Sequence, residues 1–333
     1  MTATAAFAPD DRVSVRALRP RLRPSTAVLI VNYKAYVELR ACLTSLMPQL
    51  GMDDEVVVVD NESDAQALRA AVGGYPFVSA IRCVDNLGFA AGANLAATRA
   101  RATFLLLLNP DTLIEGPVVR VLSDRLMTDP DVGVVAPRVL NFDGSVQATA
   151  RRFPNATTAI GGRSTWMTRR FPNNWLSRRN LVARSASQPV DVDWLSGACF
   201  MTRRDLFERL GGFDERFFLY WEDADYCLRA AAAGARRVYV PTVDVRHLAG
   251  RSSDRNPVEA IRAFHRSAYL MFREQASWPA RVIAPLVRFG LWARAEWRIR
   301  RHARRPDLIS RSSVTEMRSI DPARVPLTCP KGP

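Results

Sequence analysis

Three acidic positions far apart in the chain have the residue types and settings from which a group-transfer site could be built. The first is Asp60-Asn61-Glu62-Ser63, directly after four consecutive valines. A carboxylate there can accept a hydrogen bond from the N3–H of uracil or thymine, which show the same edge; it could equally close an Asx turn. The second is Leu108-Asn109-Pro110-Asp111-Thr112, where an apolar strand delivers Asp111 to its end. Mg²⁺ takes only one or two protein carboxylates when phosphate oxygens supply the rest, so a metal-bridged diphosphate suits this place. An Asn-Pro-Asp turn is the plain alternative. The third and densest runs from Phe213-Asp214-Glu215 to Trp221-Glu222-Asp223-Ala224-Asp225-Tyr226. Glu222, Asp223 and Asp225 fall in the first turn of a helix, where acids favour the dipole. Capping explains one or two of them, but not a triplet flanked by Phe217, Phe218, Tyr220 and Trp221. Aromatic walls raise a carboxyl pKa and suit it to act as a base. His247 follows the alternation Val243, Val245; a histidine there is either structural or a metal ligand.

The elements that must position these groups alternate along the chain. Strands are expected at 26–32, 55–60, 79–84, 104–108 and 132–137. Helices are expected between them: one with the face Leu39, Leu43, Leu46 and Leu50, then 65–72, 91–100 and 118–127. Strands apolar on both faces and separated by helices require a buried, parallel sheet. Ligands of such sheets sit beyond the carboxyl ends of the strands, and three strands here end in polar clusters: Asn32-Tyr33, Asp60-Asn61 and Asn109-Pro110-Asp111. Further on, 197–202 reads as a strand, 205–210 as a short helix, and Gly211-Gly212-Phe213-Asp214 as a turn before a helix starting near Trp221. Residues 237–241 and 243–247 read as two short strands. From Val258 to about Arg305 the chain reads as basic helix, interrupted by Pro279 and Pro285. Asn86-Leu87-Gly88-Phe89-Ala90-Ala91-Gly92-Ala93-Asn94 is spaced GxxxG, not GxGxxG, and no Gly-Lys-Ser/Thr loop exists; a tight strand-to-helix turn with close packing is expected.

The composition, 48% hydrophobic and 24% charged over 333 residues, excludes a disordered chain. The net charge of +14 calls for an anionic partner: nucleic acid, anionic lipid or a phosphorylated substrate. Five scattered cysteines without a CxxC pair fit reduced thiols in the cytoplasm. The basic N-terminal residues lack the apolar run of a signal peptide. The segment after Ser277 sets Ile283, Val287, Leu291 and Trp292 among arginines. It is too short and too charged to span a bilayer, and fits either a helix lying in an anionic membrane surface or one packed on the domain.

Taken in order, Val31-Asn32-Tyr33, Val59-Asp60-Asn61-x-Ser63, Asn86-x-Gly88-Phe89-Ala90-x-Gly92-x-Asn94 and Leu108-Asn109-Pro110-Asp111 form a first half. Trp194-Leu195-Ser196-Gly197-Ala198, Gly212-Phe213-Asp214-Glu215-x-Phe217-Phe218 and Glu222-Asp223-x-Asp225-x-Cys227-x-Arg229 form a second. Together they resemble the inverting glycosyltransferase family 2, in its rhamnosyltransferase-like branch, over about residues 25–255. The resemblance implies an α/β chain of GT-A fold, a Rossmann-like αβα sandwich with a mostly parallel sheet, followed by basic C-terminal helices. Around the catalytic domain that it implies (25–255, with a basic excursion at 151–190), the residues give a basic tail (1–24), a helical segment (256–306), membrane-associating or packed on the domain, and a tail (307–333). The resemblance implies that Asp60 reads the base, with Asn32, Tyr33 and Asn61 beside it, and that Asn86, Gly88, Asn94 and Asn109 line the nucleotide side. Asp111 matches the last acid of the family's DxD site for Mg²⁺ or Mn²⁺; Asn109 stands where the first acid usually is, and His247 lies near the metal. Gly197 and Ala198 would floor the donor-sugar pocket. Asp223 matches the general base, with Glu222 the alternative.

The implied partners are a dTDP- or UDP-linked sugar, with L-rhamnose the branch's donor, and a lipid-linked or glycan acceptor of cell-envelope polysaccharide. The implied place is the inner face of the plasma membrane, without nucleic acid. A nucleotidyltransferase shares the αβα layout but carries a Gly-rich loop after the first strand, which residues 32–36 lack. A nucleic-acid-binding protein would explain the charge but not the acids around Asp223; a non-catalytic nucleotide-sugar binder keeps the same motifs.

Overall fold

A computed structural model describes residues 25–152, 186–248 and 255–303. The expected tails at 1–24 and 307–333, and most of the excursion at 151–190, lie outside the described residues. The chain runs β1 (Thr26–Tyr33), α1 (Tyr36–Leu46), β2 (Glu55–Asn61), α2 (Ala65–Val72), β3 (Val78–Arg82), α3 (Phe89–Arg99), β4 (Phe104–Leu108), β5 (Thr112–Glu115), α4 (Val118–Thr128) and β6 (Val132–Leu140). After the short strands β7 (Ala150–Arg151), β8 (Val190–Asp191) and β9 (Trp194–Leu195) come β10 (Cys199–Arg203), α5 (Arg204–Arg209), α6 (Glu222–Ala232) and β11 (Arg236–His247). The helices α7 (Pro257–Gln275), α8 (Trp278–Val282) and α9 (Ala284–Ala303) follow.

The main sheet has the order β3-β2-β1-β4-β10-β6-β11-β5. β3, β2, β1 and β4 are parallel, as expected for strands apolar on both faces. Because side chains alternate along a strand, Val28 and Ile30 of β1 join the core under α1, α2 and α4. Leu29 and Val31 join the opposite core, with the alanines of α3 and the rings of Phe200, Phe213 and Tyr226. The result is an αβα sandwich. Close packing of α3 is enforced at Gly92, where a Cβ would stand 2.8 Å from Val31 Cγ1.

Three details depart from the expected elements. β10 lies antiparallel between β4 and β6, so the sheet is mixed at its centre. The expected pair of strands 237–241 and 243–247 is one strand, β11, whose register against β6 shifts between Val240 and Asp244; Pro241, with no N–H to donate, sits in that irregularity. β5, not expected from the sequence, pairs antiparallel with β11 and sets His247 opposite Thr112. That pairing brings a histidine to Asp111 from 136 residues away in the chain (247 minus 111). Pro279 and Pro285 lie in the first turns of α8 and α9, where a missing N–H costs nothing.

Candidate active site

A cleft of about 230 Å³ opens beyond the ends of β1, β2 and β4. Tyr33, Asn61, Asn86, Gly88 and Asn109 line one part of it. Asp111, His247, Gly197, Ala198, Glu222 and Asp223 line the rest, so Asp111 and Asp223 face the same space.

Three expected residues do not line it. Asp60 is fully buried: its Oδ1 accepts from Asn32 Nδ2 (2.6 Å), and its Oδ2 from Ser63 Oγ (2.6 Å) and Tyr36 Oη (3.2 Å). Asn32 is equally buried and also accepts from the Ala35 N–H, so it braces both Asp60 and the turn after β1. A base N3–H reaches Asp60 only through the spare lone pair of Oδ1, or after Ser63 or Tyr36 turns away. Asn94 ties down the turn before α6 instead: its Nδ2 donates to Phe213 O and Glu215 Oε1 (2.9 Å each), and its Oδ1 accepts from the Phe213 N–H (2.8 Å). The asparagine comes so close that a Cβ on Gly212 would lie 2.5 Å from its Oδ1.

The acid-rich segment separates into structural and cleft groups. Asp214 pairs with Arg216, whose guanidinium holds its carboxyl below the usual range. Asp225 pairs with Arg229 at 2.7 Å, and that guanidinium also donates to the carbonyls of Leu210 and Gly212. Glu222 and Asp223 remain. Asp223 Oδ2 accepts from the Gly197 N–H and Oδ1 from the Ala224 N–H, both at 2.8 Å, which points the carboxylate at the cleft floor. Burial raises its pKa, opposed by those two N–H groups and by Arg151. Glu222 is 5% exposed and its Oε2 has no hydrogen-bond partner. Burial first, then the charge of Asp223, pushes the Glu222 carboxyl well above the ordinary glutamate range.

The sign of that shift predicts a stability trend. A group whose folded pKa is raised stabilises the fold below its unfolded pKa, and the contribution is lost as pH rises through the folded value. Glu222→Gln, which cannot ionise, is therefore expected to flatten the decline in stability as pH rises above the ordinary glutamate range, read by denaturant melts. A variant with the wild-type slope over that range would refute the assignment.

The loop carrying these acids is strained and braced. Tyr220 and Trp221 are both left-handed (φ 68° and 74°), a conformation costing about 1–2 kcal/mol per non-glycine residue. Phe264 of α7 packs against both rings (5.7 and 5.9 Å), Ser267 Oγ donates to Leu219 O (3.0 Å), and Trp194 lies 5.8 Å from Trp221. On the other side the Phe89 N–H donates to Phe218 O at 2.8 Å. Gly88 permits this contact: its φ is +85°, and a Cβ there would stand 2.4 Å from Phe218 O. Gly197 is different, since a Cβ would meet Asp223 only at ordinary contact (3.6 Å). The protein itself therefore leaves room for a small side chain at position 197.

At the far wall His247 Nε2 lies 3.3 Å from both Asp111 Oδ1 and Asn109 Nδ2. Asp111 is 4% exposed, and its Oδ1 has no hydrogen-bond partner. An orphaned buried carboxylate oxygen beside an imidazole nitrogen is a donor set that fits a divalent cation. Among the described residues no group of three or more His, Cys, Asp or Glu is placed to hold a metal ion, so further ligands would be water, neutral oxygens or a substrate. Phe218 and Tyr220, expected as aromatic walls beside the acids, line the cleft with Ser196 of the 194–198 motif, whereas Leu219 in the lining and Arg151 near Asp223 were not anticipated from the sequence. The four described cysteines are buried and free, with the Cys42 thiol pushed up to about 12 by burial.

The fold is shared with the mannosyltransferase PcManGT from Pyrobaculum calidifontis, solved in complex with GDP-Man and Mn²⁺: TM-score 0.53, 19% identity, 86% of this chain and 77% of that one covered. The architecture is therefore that of the GT-A glycosyltransferases. Residues 24–275 match the model of the glycosyltransferase-like family 2, and the chain belongs to that family. It is 30% identical over 304 residues, covering 87% of this chain and 94% of the relative, to the N-acetylglucosaminyl-diphospho-decaprenol L-rhamnosyltransferase of Mycobacterium tuberculosis. Over a shorter stretch of 74 residues, 22% of this chain and 28% of the relative, it is 45% identical to the rhamnosyltransferase WbbL of Escherichia coli.

Proposed function

We propose that this glycosyltransferase moves L-rhamnose from dTDP-rhamnose, with inversion, onto a sugar carried by a polyprenyl diphosphate at a membrane surface. The carrying observation is that Asp223, held by two backbone N–H groups, and the Asp111–His247 pair face one cleft. The similarity to a rhamnosyltransferase along nearly its whole length supports the choice of sugar and acceptor.

In this reading Asp223 takes the proton of the acceptor hydroxyl as that oxygen attacks the anomeric carbon. The N–H groups of Gly197 and Ala224 hold its carboxylate in place, and Arg151 keeps its pKa from rising further. Glu222, whose burial favours the protonated carboxyl, would in that form present a hydrogen-bond donor to a sugar hydroxyl. Asp111 and His247 would hold Mg²⁺ or Mn²⁺, which when bound neutralises charge on the departing diphosphate. Tyr33 and Asn61 face the nucleotide end, and Asp60, behind them, reads the pyrimidine once a donor yields.

The acceptor's lipid tail gives the C-terminal helices a role. α9 packs one side on α7, where Ala295 is buried and Arg262 lies 3.6 Å from Glu296. Its other side leaves Leu286 73%, Phe289 64% and Trp297 56% exposed, and Trp278 of α8 is 80% exposed. Arg281, Arg288, Arg294 and Arg298 are interspersed along the same two helices. Apolar side chains interspersed with arginines complement an anionic bilayer surface, and no helix among the described residues is long and apolar enough to cross one. Leu286→Ser combined with Phe289→Ser is expected to lower sedimentation with phosphatidylglycerol vesicles at least about 10-fold, by removing two side chains each worth roughly 1.5–3 kcal/mol when buried. Unchanged sedimentation, or a concentration-dependent dimer that the double variant abolishes, would remove the membrane from the proposal.

The decisive experiment is transfer from a panel of dTDP- and UDP-sugars to N-acetylglucosaminyl-diphospho-polyprenol, with and without Mg²⁺ or Mn²⁺. Expected is rhamnose transfer that chelation suppresses. Binding of the donors without any product would favour a non-catalytic binder.

A further inference from the structure

After β6 the chain reverses in a tight turn. The Asn141 N–H donates to Ser145 O (2.8 Å), Gly144 takes φ +79°, and Val146 bridges back to Leu140. The Gln147 N–H then donates to Val139 O at 2.8 Å, which seats Gln147 beside the end of β6. That end pairs with β11 through Val139–Val245 and Leu140–Arg246, so Gln147 arrives next to His247.

Two hydrogen bonds join the side chain to this histidine. Gln147 Nε2 donates to the backbone carbonyl of His247 (2.8 Å), and Gln147 Oε1 lies 3.1 Å from His247 Nδ1. A carbonyl can only accept, so the amide nitrogen must face it and the amide oxygen must face Nδ1. Nδ1 therefore carries the hydrogen. The opposite neighbour agrees, because the amide nitrogen of Asn109 lies 3.3 Å from Nε2 and requires an acceptor there. That single Nε2 lone pair also lies 3.3 Å from the unpartnered Oδ1 of Asp111, where a cation would take the place of the long Asn109 contact.

We propose that Gln147 is a positioning residue that locks His247 in the Nδ1–H tautomer, so that Nε2 and Asp111 present two lone pairs to a divalent cation. Without this lock an Nε2–H would turn to Asp111 and close the pair upon itself. Groups that orient a ligating imidazole typically change metal affinity about 10–100-fold when removed. The inference rests on the metal reading above, and its test separates the two.

The chain contains three histidines, so ¹⁵N-histidine labelling of the full-length protein gives an assignable long-range ¹H–¹⁵N spectrum. In the metal-free protein His247 is expected as the Nδ1–H tautomer. Gln147→Leu is expected to populate Nε2–H and to weaken Mn²⁺ binding, read by electron paramagnetic resonance in the presence of dTDP, about 10–100-fold. Gln147→Glu gives up the donor to the His247 carbonyl but retains an acceptor for Nδ1–H, and is expected to keep the Nδ1–H tautomer. An Nε2–H tautomer in the wild type, or wild-type Mn²⁺ affinity in Gln147→Leu, would overturn the proposal. Wild-type protein that holds the Nδ1–H tautomer yet binds no Mn²⁺ would overturn the metal reading and this role together. Should Gln147→Leu fail to fold, the wild-type spectrum and Gln147→Glu still decide.

Discussion

Asp223→Asn is expected to lower turnover by about 10²–10⁴-fold, the usual worth of a positioned general base, while leaving nucleotide-sugar binding nearly intact. The substitution keeps the side chain's shape. Its amide oxygen can still accept one of the two N–H groups, from Gly197 or Ala224, that hold the carboxylate at 2.8 Å. What it removes is the proposed proton acceptor at the cleft floor. Single-turnover transfer together with calorimetric dTDP binding checks this, since a folding defect would lower both. A variant that transfers sugar at the wild-type rate would end the role of Asp223. In the wild-type enzyme the acid limb of the pH–rate profile belongs above the ordinary aspartate range, because burial raises this carboxyl and the rate grows as it loses its proton.

Asp111→Asn carries the second large effect, and in the opposite sense on stability. Asp111 is one of the two protein groups proposed to hold the cation, and an amide oxygen there has no charge to offer. Charge stabilisation on a leaving group is commonly worth several kcal/mol, so a loss of at least about 10²-fold in turnover is expected, with weaker Mn²⁺ binding. The metal-free variant should nonetheless melt at or above the wild-type temperature. The native carboxylate is 4% exposed with an oxygen that has no hydrogen-bond partner, and making it neutral relieves a desolvation cost. Lower stability combined with unchanged Mn²⁺ affinity would mean that Asp111 serves the fold and not a cation.

These expectations rest on a site only part of which periodicity could display. Glu222 and Asp223 were legible because an acid cluster in a basic chain, at a helix start and among aromatic rings, exceeds what capping needs. Their separation from Asp214 and Asp225 was not, because it depends on which acids Arg216 and Arg229 reach. Asn94 belongs to a motif that resembles the family's, yet its amide is spent on Phe213 and Glu215 across 119 and 121 residues. Asn32 and Asp60 were placed correctly at adjacent strand ends, Asn32 opposite Asp60 in register. Only the packed structure reveals that the two side chains are engaged with each other.

By itself the sequence determined the alternation of strands and helices, the parallel half of the sheet and the strand ends at which polar residues collect. These follow from which side chains must leave water at local spacings of two and about 3.6 residues. Tertiary structure alone decided that β5 and Gln147 meet β11 so that His247 faces Asp111, and that α7 braces a left-handed Tyr220 and Trp221 beside Glu222 and Asp223. Those arrangements consist of hydrogen bonds and ring contacts between residues many tens of positions apart. No local pattern specifies them, because their partners exist only once both layers of the sandwich have closed on the sheet.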